Sequence, residues 1–432
     1  MGRSISNYQL KSLLFFLLFS LVLCLSSSQE SQPLICNLRF LEHLDLSNNQ
    51  FHGVIPSCLV NFSENLLVLN LQGNNFSGTI PQTFRQASKL RTLDVSNNKL
   101  HGELPRSLAN CTNLEILNVG HNSIVDVFPY WLENLPQLKI LVLKDNRFHG
   151  PIAEPRKRSV FTKLHIIDVS HNNFTGTLPS KYFEKWNSMM KADEDATQSR
   201  YMGDNGGYYF DSMTITYKGR DMVFVRILTI FKAVDFSHNK FHGNIPTSIG
   251  RFKALIFLNF SGNGLSGSIP LTLENITELE SLDLSKNNLS GEIPQQLTSL
   301  TFLSGFDVSQ NNLTGLIPQG QQFATFSNTS YEGNPGLCGF PLSKKCGENK
   351  VVESPFLQSR KYELDGFGWE VVFMGYGCGV VLGLAIGSCM TQRKEEWIAR
   401  IFSVKMRQQG KKTKKVAATW RKMTHSKPST SW

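Results

Sequence analysis

Six aspartates recur at one position of a repeated motif, and carboxylates grouped in this way could serve acid–base catalysis or bind a metal ion. They are Asp45, Asp94, Asp168, Asp235, Asp283 and Asp307. No histidine recurs with them at a spacing suited to metal binding or proton transfer, and no nucleophile–base set or phosphate-binding loop accompanies them. The column is therefore predicted to be a repeat consensus on an exposed strand face. The chain is predicted to be neither an enzyme nor a cofactor- or metal-binding protein.

The element that positions these aspartates is a repeat, L-x-x-L-x-L-x-x-N-x-L-x-G-x-I-P, which is clearest at Leu279–Pro294. Ten copies occur, and most successive copies start 24 residues apart, as in a leucine-rich-repeat solenoid. We number them one to ten; they begin at Leu41, Leu66, Leu90, Leu114, Leu138, Leu164, Phe231, Leu255, Leu279 and Leu303. The predicted fold is an α/β-type repeat solenoid with a concave parallel β-sheet. Alternate strand residues should point into the core and outwards.

A column of asparagines marks the point where each strand turns into a loop. Its members are Asn49, Asn74, Asn98, Asn122, Asn146, Asn172, Asn239, Asn263, Asn287 and Asn311. A buried amide there can satisfy backbone groups that the turn leaves unpaired. These asparagines are predicted to be structural.

Departures from the consensus on the outward strand face are the candidates for recognition. An apolar strip is expected there, and its residues are the candidates for contact with a ligand. They are Val68, Ile116, Ile140, Val142 and Ile166. The competing interpretation is packing within the solenoid at the strand edges, without a role in binding.

The repeat is interrupted between copies six and seven, where successive starts are 67 residues apart. The inserted segment is polar with mixed charge at first, then rich in Gly and Tyr, and ends in an alternating stretch, SMTITYKGRDMVFVRI. That alternation predicts one or two strands. Such an interruption is often functional, and the alternative is a disordered loop.

Two apolar segments predict the topology. Leu13–Leu25 resembles the core of a cleaved signal peptide, with an uncleaved anchor as the alternative. Residues 366–390 are long enough to span a bilayer, and Arg393 and Lys394 follow directly. The positive-inside rule then places the C-terminal tail in the cytoplasm. The chain is predicted to be a single-pass type I plasma-membrane protein with its N-terminus outside.

The formal net charge of +10 is located in the tail, where residues 391–432 carry twelve Lys or Arg against two Glu. The rest of the chain is near neutral, so the charge does not predict a nucleic-acid partner. The tail bases either attract anionic lipid or only enforce topology.

A location outside the cell predicts glycosylation, and its oxidising conditions favour disulfides. Nine N-x-S/T sequons are candidate glycosylation sites: Asn61, Asn75, Asn110, Asn173, Asn259, Asn275, Asn288, Asn312 and Asn328. Cys338 and Cys346 are expected to pair, and so are Cys36 and Cys58 around the first repeat. Cys111 is expected to face the core.

Together these features resemble plant leucine-rich-repeat receptor-like proteins, the kinase-less, single-pass class that includes Cf-type resistance proteins. The L-x-G-x-I-P variant resembles the plant-specific repeat, and four repeats after the insertion match the family arrangement. The insertion resembles the family's island domain, including its Y-x8-K-G signature at Tyr209, Lys218 and Gly219. Residues 333–346 resemble its C-terminal cap, and residues 369–387 resemble its membrane span.

The resemblance implies a receptor that binds an extracellular peptide, protein or glycan and signals through partner kinases, with a role in defence. A membrane adaptor kinase would pair constitutively, and a short co-receptor kinase would bind the island and last repeats. Four glycines spaced by four residues in the predicted span offer a close helix contact for the adaptor, the alternative being an idle stripe. They are Gly375, Gly379, Gly383 and Gly387. The 42-residue tail has none of the kinase motifs.

The expected organisation is a signal peptide (1–28), six repeats (29–179), the island (180–230), four repeats (231–318), a cap (319–346), a juxtamembrane segment (347–365), the span (366–390) and the basic tail (391–432). Family members carry a cysteine-paired N-terminal cap and many more repeats before the island. The chain is therefore expected to be a shortened member, or to be capped by Pro33–Phe40 and a Cys36–Cys58 bridge. The competing function is a non-sensing regulator or decoy that occupies the adaptor or co-receptor kinase.

Overall fold

The computed structural model describes residues 36, 40–61, 65–85, 88–155, 157–191, 201–202, 211–217 and 220–346. They belong to one compact unit. Within these residues, no helix has the length and apolarity needed to cross a membrane. The predicted signal peptide, membrane span and basic tail lie outside the described residues.

Ten three-residue strands, one from each repeat, form a continuous parallel sheet that we call the main sheet. Each strand pairs with its neighbours in chain order. The strands are His43–Asp45, Val68–Asn70, Thr92–Asp94, Ile116–Asn118, Ile140–Val142, Ile166–Asp168, Ala233–Asp235, Phe257–Asn259, Ser281–Asp283 and Gly305–Asp307. The insertion does not break this sheet, because Ile166 pairs directly with Ala233. The predicted parallel solenoid is confirmed.

A second layer of parallel strands forms where the L-x-G-x-I-P part of each repeat turns back. Four strands make one sheet: His52–Val54, Asn75–Gly78, Lys99–Gly102 and Ser123–Ile124. Seven make another: His149–Pro151, Asn173–Gly176, Lys240–Asn244, Gly264–Gly267, Asn288–Gly291, Asn312–Leu316 and Gly336–Cys338. The consensus glycine ends this stretch in the left-handed region, as at Gly267 with φ of 74°, where a Cβ atom would be strained.

Short helices follow the second layer, and six of them begin directly after a proline, whose fixed φ suits a helix start. The 3-10 helices are Arg106–Asn110, Tyr130–Asn134, Thr247–Arg251, Leu271–Asn275, Gln295–Ser299, Gln321–Thr325 and Asn328–Ser330. The α-helices are Cys58–Asn61, Ser180–Phe183 and Asn187–Met190. Between the helices and the main sheet lies one apolar core that runs through all ten repeats.

The asparagine column satisfies the turns, as predicted. The Asn287 amide donates to the carbonyls of Leu284 and Ser285 in its own repeat and to that of Phe260 in the preceding repeat. Its oxygen accepts the backbone N–H of Leu265 at 3.0 Å. The nine column asparagines that follow Asn49 each donate to a carbonyl of the preceding repeat in this way and so join two repeats, whereas Asn49 bonds only within its own repeat.

Disulfides form at both ends of the solenoid. Cys36 bonds to Cys58 beside the first repeat, and Cys338 bonds to Cys346 in the cap. Cys36 and Cys58 pack against the main core, so this pair helps to cover its first repeat. Cys111 is a buried free cysteine in that core.

Candidate ligand-binding site

The apolar strip faces outwards from the main sheet, but it is not an exposed surface. Ile116, Ile140, Val142 and Ile166 are each at most 5% exposed, and Val68 is 1% exposed. The first four pack in a second hydrophobic cluster, separate from the main core. The prediction that these five side chains offer a free ligand-contacting surface is therefore wrong.

The insertion supplies the cover. Met213–Tyr217 and Arg220–Phe224 form an antiparallel hairpin, and Met213 and Ile215 turn the same face towards the sheet. Met202 and Ile227 complete the insertion's side of the cluster. Burying each such side chain favours docking by about 1.5–3 kcal/mol, so apolar contact holds the insertion on the sheet. The signal in the sequence was the period-two alternation of Met213 and Ile215 opposite an apolar strip.

A polar contact extends this docking to repeat three. The Thr92 hydroxyl donates to Oδ1 of Asp211 at 2.9 Å, and Asp211 is 3% exposed. Burial raises the pKa of Asp211, while the Thr92 hydrogen bond lowers it. Nearby, burial raises the pKa of Asp94 to about 6. Both carboxyls are thus buried where the insertion meets the main sheet, and burial disfavours their charged form.

The docking of the insertion is predicted to weaken as the pH rises. The pKa of Asp211 is higher when the insertion is docked than when Asp211 is exposed. Asp211 therefore stabilises docking at low pH, and this stabilisation is lost as the pH rises through the raised pKa. Hydrogen exchange of Met213–Tyr217, corrected for intrinsic rates, should be slower at pH 5 than at pH 7.5. Asp211→Asn should reduce this difference, and an unchanged pH response in the variant would contradict the assignment.

Beyond the insertion, a groove of about 490 Å³ lies on the outward face of repeats six to ten. Phe257 lines it and also belongs to the cluster under the insertion, so one end of the groove lies next to that cluster. Thr325, Phe326, Ser327 and Ser330 of the cap border the other end. We call this space the cap groove.

The cap groove combines polar and apolar surface in similar amounts and is rich in hydrogen-bond acceptors. Asp235, Asp283 and Asp307 line it together with Asn259 and several serines, and no lysine or arginine is among its described lining residues. Two further lining side chains, His171 and His238, stack with ring centroids 4.2 Å apart. Burial lowers the pKa of both imidazoles. The arrangement suits binding by charge and hydrogen bonds.

The aspartate column was predicted to be exposed, and for three members this is wrong. Asp94, Asp168 and Asp235 are at most 5% exposed. Each accepts the backbone N–H of the serine two residues later at 2.9 Å, which anchors the turn. Burial raises the pKa of both Asp168 and Asp235, and the charge of Asp168 raises that of Asp235 further. In the described part of the chain, no group of three or more His, Cys, Asp or Glu side chains is arranged to hold a metal ion.

One sequon is unsuited to glycosylation. Asn259 is 8% exposed, its amide donates to Asp235, and its oxygen accepts the N–H of Ser261. It is a strand residue of the main sheet, so the sequon there is a coincidence of the repeat. Exposed or half-buried sequon asparagines are Asn75, Asn110, Asn173, Asn275, Asn288, Asn312 and Asn328. Asn61 is the last residue of the helix Cys58–Asn61.

Several predicted site residues lie outside the described residues. They are Tyr209, Lys218 and Gly219 of the insertion and Gly375, Gly379, Gly383 and Gly387 of the predicted span. Their roles stay predictions.

The comparisons with known proteins agree with the repeat architecture. A family model described as leucine rich repeat matches residues 39–100 and 103–149. A second model of the same description matches residues 163–182, 254–276 and 278–300. Receptor-like protein 53 of Arabidopsis thaliana is 49% identical over 383 residues, which is 87% of this chain and 39% of that relative. This chain belongs to the plant leucine-rich-repeat receptor-like proteins. Membership of this family agrees with the prediction that the chain is not an enzyme.

The receptor-like chain spans about 39% of the length of that relative. Among solved structures, it resembles the ectodomain of the Arabidopsis thaliana membrane receptor kinase GASSHO1/SCHENGEN3 in complex with Casparian strip integrity factor 2. The TM-score is 0.56 with 27% identity, covering 72% of this chain and 35% of that one. It also resembles PEPR1–AtPEP1, with a TM-score of 0.51, 30% identity and coverage of 70% and 40%.

Proposed function

We propose that this chain is a cell-surface receptor that binds an extracellular ligand through its repeats and insertion and signals through partner kinases in plant defence. The observation that carries the proposal is the cap groove, an open space rich in hydrogen-bonding groups between the cluster under the insertion and the cap. Similarity to the ectodomain of a plant membrane receptor kinase in complex with Casparian strip integrity factor 2 supports it. The ligand would be a peptide, protein or glycan.

The proposed membrane arrangement is a single-pass type I protein with the repeats outside the cell. The exposed face of the insertion supports a partner there, because Val223 and Val225 are 68% and 76% exposed. Exposed apolar side chains close together in the chain are typical of interaction surfaces. We assign this face to the short co-receptor kinase and the glycine stripe to the adaptor kinase.

Replacing Gly379 and Gly383 together with leucine is predicted to abolish co-precipitation of the adaptor kinase. Bulky side chains on the stripe would prevent close approach of a second helix. The measurement is recovery of the adaptor from plant membranes that express the tagged full chain. Gly377→Leu is the matched control, since Gly377 lies off the stripe, and it should leave recovery unchanged. Equal recovery with the double variant would refute the assigned contact.

The burial of the apolar strip favours a second candidate function. Because the insertion covers that strip, the chain has less free sheet for a ligand than its repeats suggest. A non-sensing regulator that occupies adaptor or co-receptor kinases would need no ligand surface. Expression in leaf tissue with candidate elicitors separates the two functions. A response that depends on this chain supports the receptor, whereas dominant suppression of a longer relative's response supports the regulator.

A further inference from the structure

The outward column of the main sheet alternates carboxylates with amides at most of its strands. Asn118 donates its amide to Oδ2 of Asp94 at 2.9 Å, and Asn259 donates to Oδ2 of Asp235 at 3.3 Å. Each carboxylate is thereby satisfied by an amide from the next repeat. We call this arrangement, in which an aspartate accepts the amide of the asparagine on the next strand, the aspartate–asparagine rule.

Asp283 and Asp307 break the rule inside the cap groove. They are paired residues on adjacent strands, so a carboxylate stands where the amide donor would be. In the described structure, each accepts hydrogen bonds only from the serine two residues later in its own repeat, Ser285 or Ser309. Adjacent strands are about 4.8 Å apart, so one donor can reach both carboxylates.

The other adjacent pair of aspartates has a cation from the chain itself. Asp168 and Asp235 also occupy paired positions, and the charge of Lys144, which is 7% exposed, lowers the pKa of both. Lys286 acts on Asp283 in the same direction, but its side chain is exposed and it does not line the cap groove. The groove therefore holds two carboxylates without a cation between them.

The space above this pair is open to a ligand. The first residue of each main-sheet strand points outwards. It is large in some repeats, as at Ile140 and Phe257, but small in repeats nine and ten, where it is Ser281 and Gly305. Both of these small residues line the groove, together with the ring of Phe326. Apolar walls lower the local dielectric constant and strengthen an interaction between opposite charges.

We propose that Asp283 and Asp307 bind a positively charged side chain, a lysine or arginine, of an extracellular peptide or protein ligand. This assignment rests on the proposed receptor function and predicts that the ligand carries a positive charge where it contacts the groove. A guanidinium or ammonium group would donate to both carboxylates and replace the missing amide.

The test uses the purified full chain in detergent and an acetylated, amidated pentalysine peptide as the probe. Calorimetric titration should show binding that is at least tenfold weaker in the double variant Asp283→Asn, Asp307→Asn. The variant should fold, because the native Asn70, Asn118 and Asn259 accept the same backbone N–H at this column position. Asp45→Asn is the matched control, in the same column but exposed and outside the groove, and it should bind pentalysine like the wild type.

The pH provides a second measurement. Burial raises the pKa of Asp283, the charge of Asp307 raises it further, and Lys286 lowers it. Protonation of Asp283, or of His171 and His238 in the same groove, would oppose a cation. Pentalysine should therefore bind more weakly at pH 5 than at pH 7.

The proposal is overturned if the double variant binds pentalysine as tightly as the wild type, if pentaglutamate binds equally well, or if pentalysine does not bind. Kinase co-precipitation from the same preparations separates this outcome from failure of the receptor function. Recovered kinases without pentalysine binding would refute only the cation site. Pentalysine binding without kinase recovery would support the cation site and count against signalling through those partners.

Discussion

Val142→Asp is expected to release the insertion from the main sheet. Val142 occupies the column position that holds aspartate in repeats one, three and six, so the sheet alone can accept the new side chain. The covering insertion cannot, because Val142 is 5% exposed within the cluster that contains Met213 and Ile215. An unpaired buried charge costs about 3–5 kcal/mol, which exceeds what one apolar contact contributes. Hydrogen exchange of Met213–Tyr217 should accelerate at least about tenfold, equivalent to about 1.4 kcal/mol.

The control for this experiment is Val54→Asp. Val54 is 67% exposed on the second layer, and its replacement should change exchange in the insertion very little. Far-ultraviolet circular dichroism should show that the repeats remain folded in both variants. If Met213–Tyr217 exchanges at the wild-type rate in Val142→Asp, then the insertion does not rest on the apolar strip.

The repeat architecture follows from sequence because its determinants are local. A leucine at every second strand position and an asparagine at the turn fix which side chains are buried, as Leu282, Leu284 and Asn287 illustrate. The hydrogen bonds of Asn287 span only neighbouring repeats, so the 24-residue period contains the information needed to predict them.

The candidate site was harder to predict because it depends on contacts distant in sequence. Thr92 and Asp211 are 119 residues apart, and neither belongs to a motif that indicates the other. The apolar strip was recognised, but whether ligand, solvent or the insertion covers it is decided by how the chain folds back. The pair Asp283 and Asp307 was visible only as consensus, since its meaning depends on the Asp–Asn alternation of the other strands.

Asn287→Ala is expected to produce a large loss of stability in the repeats beneath the cap groove. The substitution leaves the backbone N–H of Leu265 without its side-chain partner. It also removes one of the donors to the carbonyls of Phe260, Leu284 and Ser285, which keep the Asn263 amide, the Asn311 amide and the Gly262 N–H, respectively. Asn287 is 7% exposed, so water cannot readily replace these bonds. A buried N–H left unpaired costs about 1–3 kcal/mol and each lost hydrogen bond about 0.5–1.5 kcal/mol, so after partial relaxation the net loss should be roughly 2–4 kcal/mol. Urea denaturation followed by circular dichroism measures the change in the free energy of unfolding.

Asn49→Ala is the matched control because Asn49 holds the same column position in repeat one. Its amide donates only to Leu46 and Ser47 of its own repeat, and its side chain is exposed. Removing it should cost at most about 1 kcal/mol. Equal losses in the two variants would show that the bonds between repeats add nothing to the turn bonds. A larger loss at Asn287 would show that the column couples repeats eight and nine.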